Sequence, residues 1–346
     1  MIHRRASFLS AALVAGASLS VGAGCARTAT FAVTRPAMLN AAAVGNTMQV
    51  RPVQAATGMP MDFQAAAEIT ADLQGRITNS LNPSIRLVAA NGGVVITGTL
   101  INNVYGEEIQ RSEGTCTRSV PYYSQGRTQY RVETYACTNL TRIGTAQATI
   151  QFQVLHGTSG EAIFDQTYQD TARNTTTGRI SAYERAEPPP IDGLGMLHAV
   201  RANLTDQFAR VILPWRENVT VEFEDCDGEA RCRQGFEMVQ HGNLAGAEPL
   251  FTAVIGQFSN PGVPVPPGQA ERIGEAFYNR GITRSYMGNY ARAVADLTRA
   301  IQLRPDESDW QQELQNAQRM ARDQESLRQQ GAVQNETQNV QQAGTP

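Results

Sequence analysis

The sequence predicts an α+β sheet domain with packed helices followed by an all-α helical repeat domain, and three observations carry that expectation. In the run Ala146 to Val154, Ala148, Ile150, Phe152 and Val154 alternate with Thr149, Gln151 and Gln153, the pattern of a half-buried antiparallel strand. Two segments with apolar residues every three or four positions flank this strand-rich stretch, which places helices against one sheet. Nearer the C-terminus small residues recur in two copies, Gly235, Gly242 and Ala247, then Gly281, Gly288 and Ala293, as stacked helix pairs require.

The composition bounds the function. A chain of 346 residues, 41% hydrophobic and 18% charged, can bury a core in each of two domains, which excludes a wholly disordered chain. The formal net charge is -3 and Arg residues are interspersed with Asp and Glu, which argues against a nucleic-acid partner. Lysine is absent, and the four histidines, His3, His156, His198 and His241, are far apart. Groups for proton transfer, Schiff bases and metal ligation are therefore scarce. No G-x-S-x-G, H-E-x-x-H, G-x-x-x-x-G-K-[ST] or G-x-G-x-x-G motif occurs. The expectation is a protein that is not an enzyme and uses no cofactor or metal.

Residues 1–24 read as a signal peptide: basic at His3, Arg4 and Arg5, apolar from Phe8 to Val21, then small. The run is too short for a membrane span. Ser20 to Cys25 resembles a bacterial lipobox, with Gly22 where Leu is usual. The resemblance implies that Cys25 becomes an acylated first residue and anchors the protein to a membrane; cleavage nearby by the ordinary signal peptidase is the alternative. Ala26 after that Cys, under the enteric sorting rule, points to the outer membrane, facing the periplasm. Five cysteines are an odd number, and setting Cys25 aside leaves four. An exported chain permits disulfides. Of three possible connectivities the nearest-neighbour one joins Cys116 with Cys137 and Cys226 with Cys232. A four-thiolate zinc site is the alternative, but no C-x-x-C pair is present.

Residues 25–60 form the lipidated N-terminus and a first extended segment, with Phe31, Val33, Met48, Val50 and Val53 alternating with polar residues. Residues 61–224 hold the α+β domain. Asp62 is the expected helix cap, Ala66, Thr70, Leu73, Ile77 and Leu81 recur at helical spacing, and Pro83 ends the run. Strands follow at Ile85 to Ala89 and Val94 to Ile101, with Asn91-Gly92-Gly93 read as a hairpin turn between them. After Ala146 to Val154, the glycine-bearing His156 to Glu161 turns the chain into a strand with Ala162, Phe164 and Tyr168. A looser stretch ends at Pro188-Pro189-Pro190. A second helix carries Leu197, Val200, Leu204, Phe208 and Val211, and a last strand carries Val219, Val221 and Phe223. The helix before Val94-Val95-Ile96-Thr97-Gly98-Thr99-Leu100, and the later Thr158-Ser159-Gly160-Glu161-Ala162-Ile163, resemble the periplasmic α/β domain of CsgG-like lipoproteins and the amino-terminal domain of TolB-like proteins. That resemblance implies, as the alternative function, a secretion-channel or transport accessory subunit. No continuous pair of membrane-facing β-hairpins is evident, which argues against a channel.

Residues 228–328 form the repeat domain. Gly281, Gly288, Tyr290, Ala293, Leu297, Ala300 and Pro305 resemble the pattern of a tetratricopeptide repeat, with Arg284 where an aromatic residue is usual. Phe277 and Leu297 are expected to fill the gap between its helices. A degenerate first copy places Gly235, Gly242, Ala247 and Phe251 at the positions of Gly281, Gly288, Ala293 and Leu297, with the extra residues in the segment Pro261 to Gly268. A helix from Ser308 to about Arg328 caps the array, and residues 329–346 read as a disordered tail. The resemblance implies a peptide-binding concave face at Arg233, Phe236, Gln240, Asn279, Ile282 and Tyr286. Cys232 and Phe236 replace residues of a carboxylate clamp, so a full clamp is not expected. Packing against the neighbouring domain is the alternative role for these six. The turn Asp225 to Glu229 is read as disulfide-closed rather than as a calcium loop. Tyr122, Tyr123, Tyr130 and Tyr135 form either a recognition loop or the face of a hairpin. The expected function is a cell-envelope lipoprotein that serves protein interaction or assembly, its partner another envelope protein or peptide segment.

Overall fold

The computed structural model describes residues 27–40, 45–258 and 265–331. Residues 1–24, Cys25, residues 259–264 within the Pro-rich connection, and the tail from 332 lie outside the described residues. The described chain divides into two compact units: residues 32–218 with 318–331, and residues 27–31 with 219–317. The passage at Asn218 and Val219 precedes the position 224 expected from the sequence, because Val221 and Phe223 are buried with Phe236 and Phe251 of the helical unit.

In chain order the strands are β1 (Arg27–Arg35), β2 (Thr47–Val50), β3 (Gln54–Ala55), β4 (Arg86–Leu87), β5 (Val94–Ser124), β6 (Arg127–His156), β7 (Ala162–Ser181), β8 (Arg185–Ala186) and β9 (Trp215–Phe223). The helices are α1 (Pro60–Thr78), α2 (Gly193–Ile212), α3 (Ala230–Gln240), α4 (Leu244–Phe258), α5 (Ala270–Tyr286), α6 (Tyr290–Leu303) and α7 (Ser308–Gln329). The predicted class holds: a curled sheet with α1 and α2, then helical pairs.

The main sheet has the order β4-β2-β5-β6-β7-β8, with β3 also paired to β5. Register puts Ile96, Gly98 and Leu100 opposite Val154, Phe152 and Ile150, so the predicted alternation becomes one apolar face. Ile69, Leu73 and Ile77 of α1 and Leu197, Leu204 and Phe208 of α2 join the same buried cluster. Phe152 stacks on Phe208 with ring centroids 4.2 Å apart. Gly98 leaves room for that ring, since a Cβ there would lie 3.1 Å from Phe152 Cδ1. A bulge between Leu100 and Asn102 turns Ile101 outward and moves the inward face to Asn103 and Tyr105.

Two local expectations are corrected. The segments around β4 and β5 do not form a hairpin, because β2 lies between them and pairs parallel with both. Met48 and Val50 of β2 fill the core there, and the chain crosses at Gly92, where a Cβ would come within 2.7 Å of the Gln49 backbone nitrogen. Asp62 does not cap α1, which starts at Pro60, a residue suited to the first helical position. Its buried carboxylate instead accepts bonds from the Thr57 hydroxyl and from Asn103 Nδ2.

The largest departure is the length of β5 and β6. They form one antiparallel hairpin of 31 and 30 residues around Gln125-Gly126, both with positive φ. At about 3.3 Å per residue its contour is roughly 100 Å. The sequence predicts a strand only to Ile101, because the residues beyond it lack an apolar period. Strand β7 supports the arm only as far as the Cys137 to Ser181 pair.

Candidate functional site

The helical repeat is built from two pairs with matching internal geometry. A Cβ on Gly281 would lie 2.7 Å from Leu297 Cγ, and one on Gly235 would lie 2.7 Å from Phe251 Cε1. Ala247 and Ala293 are fully buried, and Gly242 and Gly288 turn the chain with φ of 74° and 79°. The two sequence copies are therefore equivalent turn for turn. Leu297 fills the gap as expected, whereas Phe277 is half-buried under Arg280, and Tyr278 takes the interior place, stacked on Trp310 at 5.1 Å.

Arg284, unusual for the repeat, has a reason in three dimensions. Its guanidinium reaches Glu248 Oε1 of α4 at 2.8 and 2.6 Å and Asp296 Oδ2 of α6 at 2.6 Å. Arg280 holds Asp296 bidentately at 2.9 and 2.7 Å. An ion network thus replaces an aromatic ring between the two pairs.

The concave face is occupied by the chain itself. Asn279 is fully buried: its Oδ1 accepts the Glu224 backbone N–H at 2.9 Å, and its Nδ2 donates to the Glu224 carbonyl at 2.9 Å. Phe31 of β1 stacks on Tyr286 with centroids 3.9 Å apart. Phe236 packs on Phe223, and Ile282 is buried in the same cluster. Only Arg233 and Gln240 of the six expected groove residues are exposed, and Arg233 donates to the Gly228 carbonyl. The open groove implied by the repeat is filled by β1, the end of β9 and the segment after it.

That segment is held by the disulfide Cys226–Cys232. Cys226, Asp227 and Gly228 all have positive φ, a left-handed turn. Glu275 Oε2 accepts the Asp227 N–H at 3.1 Å. Burial, reinforced by the neighbouring Glu224 charge, pushes the Glu275 carboxyl up to about 7. Burial also raises Glu224, whose carboxylate accepts Trp310 Nε1 at 2.9 Å. The second expected bridge, Cys116–Cys137, crosses the β5–β6 arm.

The sequence did not reveal a cavity of about 620 Å³ between the C-terminal halves of α1 and α2, floored by Ala71, Gly75, Ala209 and Leu213. Its charged rim is the chain Asp72–Arg76–Asp206–Arg210, with Arg210 4.4 Å over the Trp215 ring. These charges pair with one another. Tyr135 meets Tyr183 edge-on at 5.0 Å, while Tyr123 and Tyr130 are exposed at the arm's end.

The tetratricopeptide repeat family matches residues 274–307, the α5–α6 pair. No curated protein matches the chain. Among solved structures, a leucine-to-methionine variant of the PelC dodecamer from Paraburkholderia phytofirmans is similar over 54% of this chain and 98% of its own, at 11% identity and a TM-score of 0.27. The PelC dodecamer in a second crystal form gives 54% and 98%, 10% identity and a TM-score of 0.26.

Proposed function

We propose that the protein is a non-enzymatic cell-envelope lipoprotein that acts in protein interaction or assembly. The observation that carries this reading is the tetratricopeptide match at residues 274–307, realised as an ordered helix pair beside a second pair of equal geometry. Such repeats commonly serve protein–protein contacts. With the concave face occupied by Phe31, Phe223 and the Glu224 backbone, the partner meets another surface. Export is supported by two disulfides, Cys116–Cys137 and Cys226–Cys232, which belong to an oxidising compartment. A lipid anchor at Cys25 and an outer-membrane site facing the periplasm belong to the same proposal.

A secretion-channel or transport accessory role draws on the long β5–β6 arm. Lipid-facing strands need an apolar outward band, and Glu107, Glu108, Gln110, Arg111, Ser112 and Glu113 stand exposed along β5. This disfavours the arm as a membrane strand. Crosslinking in intact membranes followed by purification through the full-length chain tests the leading reading. One envelope protein recovered with a monomer supports it, and ring-shaped particles in negative stain support the alternative.

A further inference from the structure

The end of the β5–β6 arm has no role in the packing described above. Cys137 pairs with Ser181, the last residue of β7, so past this point the arm is two strands wide. A lone two-stranded hairpin is marginal in water. The Cys116–Cys137 bridge lies where the third strand ends, and so clamps the ribbon beyond it.

This ribbon differs in charge from the rest of the chain. Between the cysteines stand Arg118, Arg127 and Arg131 against Glu133, three minus one or +2, in a chain of net charge -3. Glu133 is held by Arg118 at 2.8 Å and Arg131 at 2.7 Å. Arg127 has no ion pair among the described residues, and the acids of the arm, Glu107, Glu108 and Glu113, lie nearer its base. Tyr123, Tyr130 and Val132 are 77%, 69% and 72% exposed, and register places them on one face.

From Arg127 to Glu133 the edge of β6 that β7 covers farther down pairs with no strand among the described residues. Period two sorts that edge by chemistry. Arg127, Arg131 and Glu133 point to one face, where Glu133 pairs with Arg131 and, across the ribbon, with Arg118; Tyr130 and Val132 point to the other. A strand laid along it meets on one side a face of net positive charge, with Arg127 outside any ion pair among the described residues, and apolar side chains on the other, while its backbone completes the free edge.

We infer that β6 from Arg127 to Glu133 docks an extended segment of a partner protein with alternating acidic and apolar residues, added as a strand in line with β7. The inference rests on the protein-interaction reading above and names its surface and partner chemistry.

The test uses the full chain and a fluorescein-labelled peptide of four Glu-Val repeats, followed by anisotropy. The expected result is saturable binding that weakens at least tenfold in Arg127→Glu, Arg131→Glu and falls with salt. Unaltered melting temperature in that variant shows that the fold is intact. Absence of saturable binding, equal binding of a Lys-Val peptide, or indifference to the Arg substitutions overturns the inference. Binding to phosphatidylglycerol vesicles but not to the peptide also overturns it, in favour of a lipid contact. A photo-crosslinker at Tyr130 and, separately, at Gln240 keeps the two readings apart. A partner caught only from Gln240 overturns the arm inference and leaves the interaction reading standing; none from either position overturns both.

Discussion

Asn279 shows how one residue changes meaning with its surroundings. Its position in the repeat implies a ligand-facing amide, yet its two polar atoms are spent on the Glu224 backbone. Asn279→Ala leaves a buried N–H and carbonyl without partners and is expected to cost about 1–3 kcal/mol. Denaturant unfolding of the variant checks this, and an unchanged midpoint would restore the open-groove reading. Glu275 offers a test by pH. Its neighbours are Glu224, Glu271, the Asp227 turn and Arg304. The folded state keeps its proton up to about pH 7, whereas the ordinary value is 4.5. The folded state then binds more protons than the unfolded one between those values, so stability falls as pH rises through the window, by about 3 kcal/mol, and levels off above it. Glu275→Gln removes this slope. Melting curves are expected to show the variant near the parent at pH 5 and more stable than it at pH 8.

At the scale of elements, α4, α5 and α6 are joined by Glu248, Arg284, Arg280 and Asp296. Asp296 is buried, so Asp296→Ala takes the acidic partner from Arg280, while Arg284 keeps Glu248, and is expected to destabilise by about 3 kcal/mol. Thermal unfolding measures this. The triple change Arg280→Met, Arg284→Met, Asp296→Leu, which leaves no buried charge unpaired except the part-exposed Glu248, should cost less than that single change if the charges, rather than the volume, set the penalty. The arm gives the second prediction at this scale. Cys116→Ser, Cys137→Ser opens a loop whose closure contributes roughly 3 kcal/mol on the chain-entropy account. The loss is local: hydrogen exchange should quicken from Thr117 to Ala136, beyond the end of β7, while Ile150 and Phe152 in the sheet core stay protected. Uniform loss of protection would show that the bridge supports the core instead.

For the whole chain, the lipid-anchor proposal predicts that protein made in a bacterial envelope partitions into detergent and takes up a palmitate analogue, and that Cys25→Ala abolishes both. A soluble, unlabelled parent would replace it with ordinary signal cleavage. The class, the order of most elements, and the equivalence of Gly235 with Gly281 are legible in the sequence, which also made the pairing of neighbouring cysteines one of three connectivities, the one that the two bridges then realise. Each is recorded locally, because a residue's spacing reflects the face its own helix or strand buries. Tertiary structure alone decided that β2 separates β4 from β5, that the groove is filled by the chain, why Arg284 replaces an aromatic residue, and how far the arm extends. These depend on partners far apart in the chain, such as Asn279 and Glu224. Along the arm most hydrogen-bonded strand positions are solvent-facing, so backbone pairing holds a structure that side-chain periodicity does not announce.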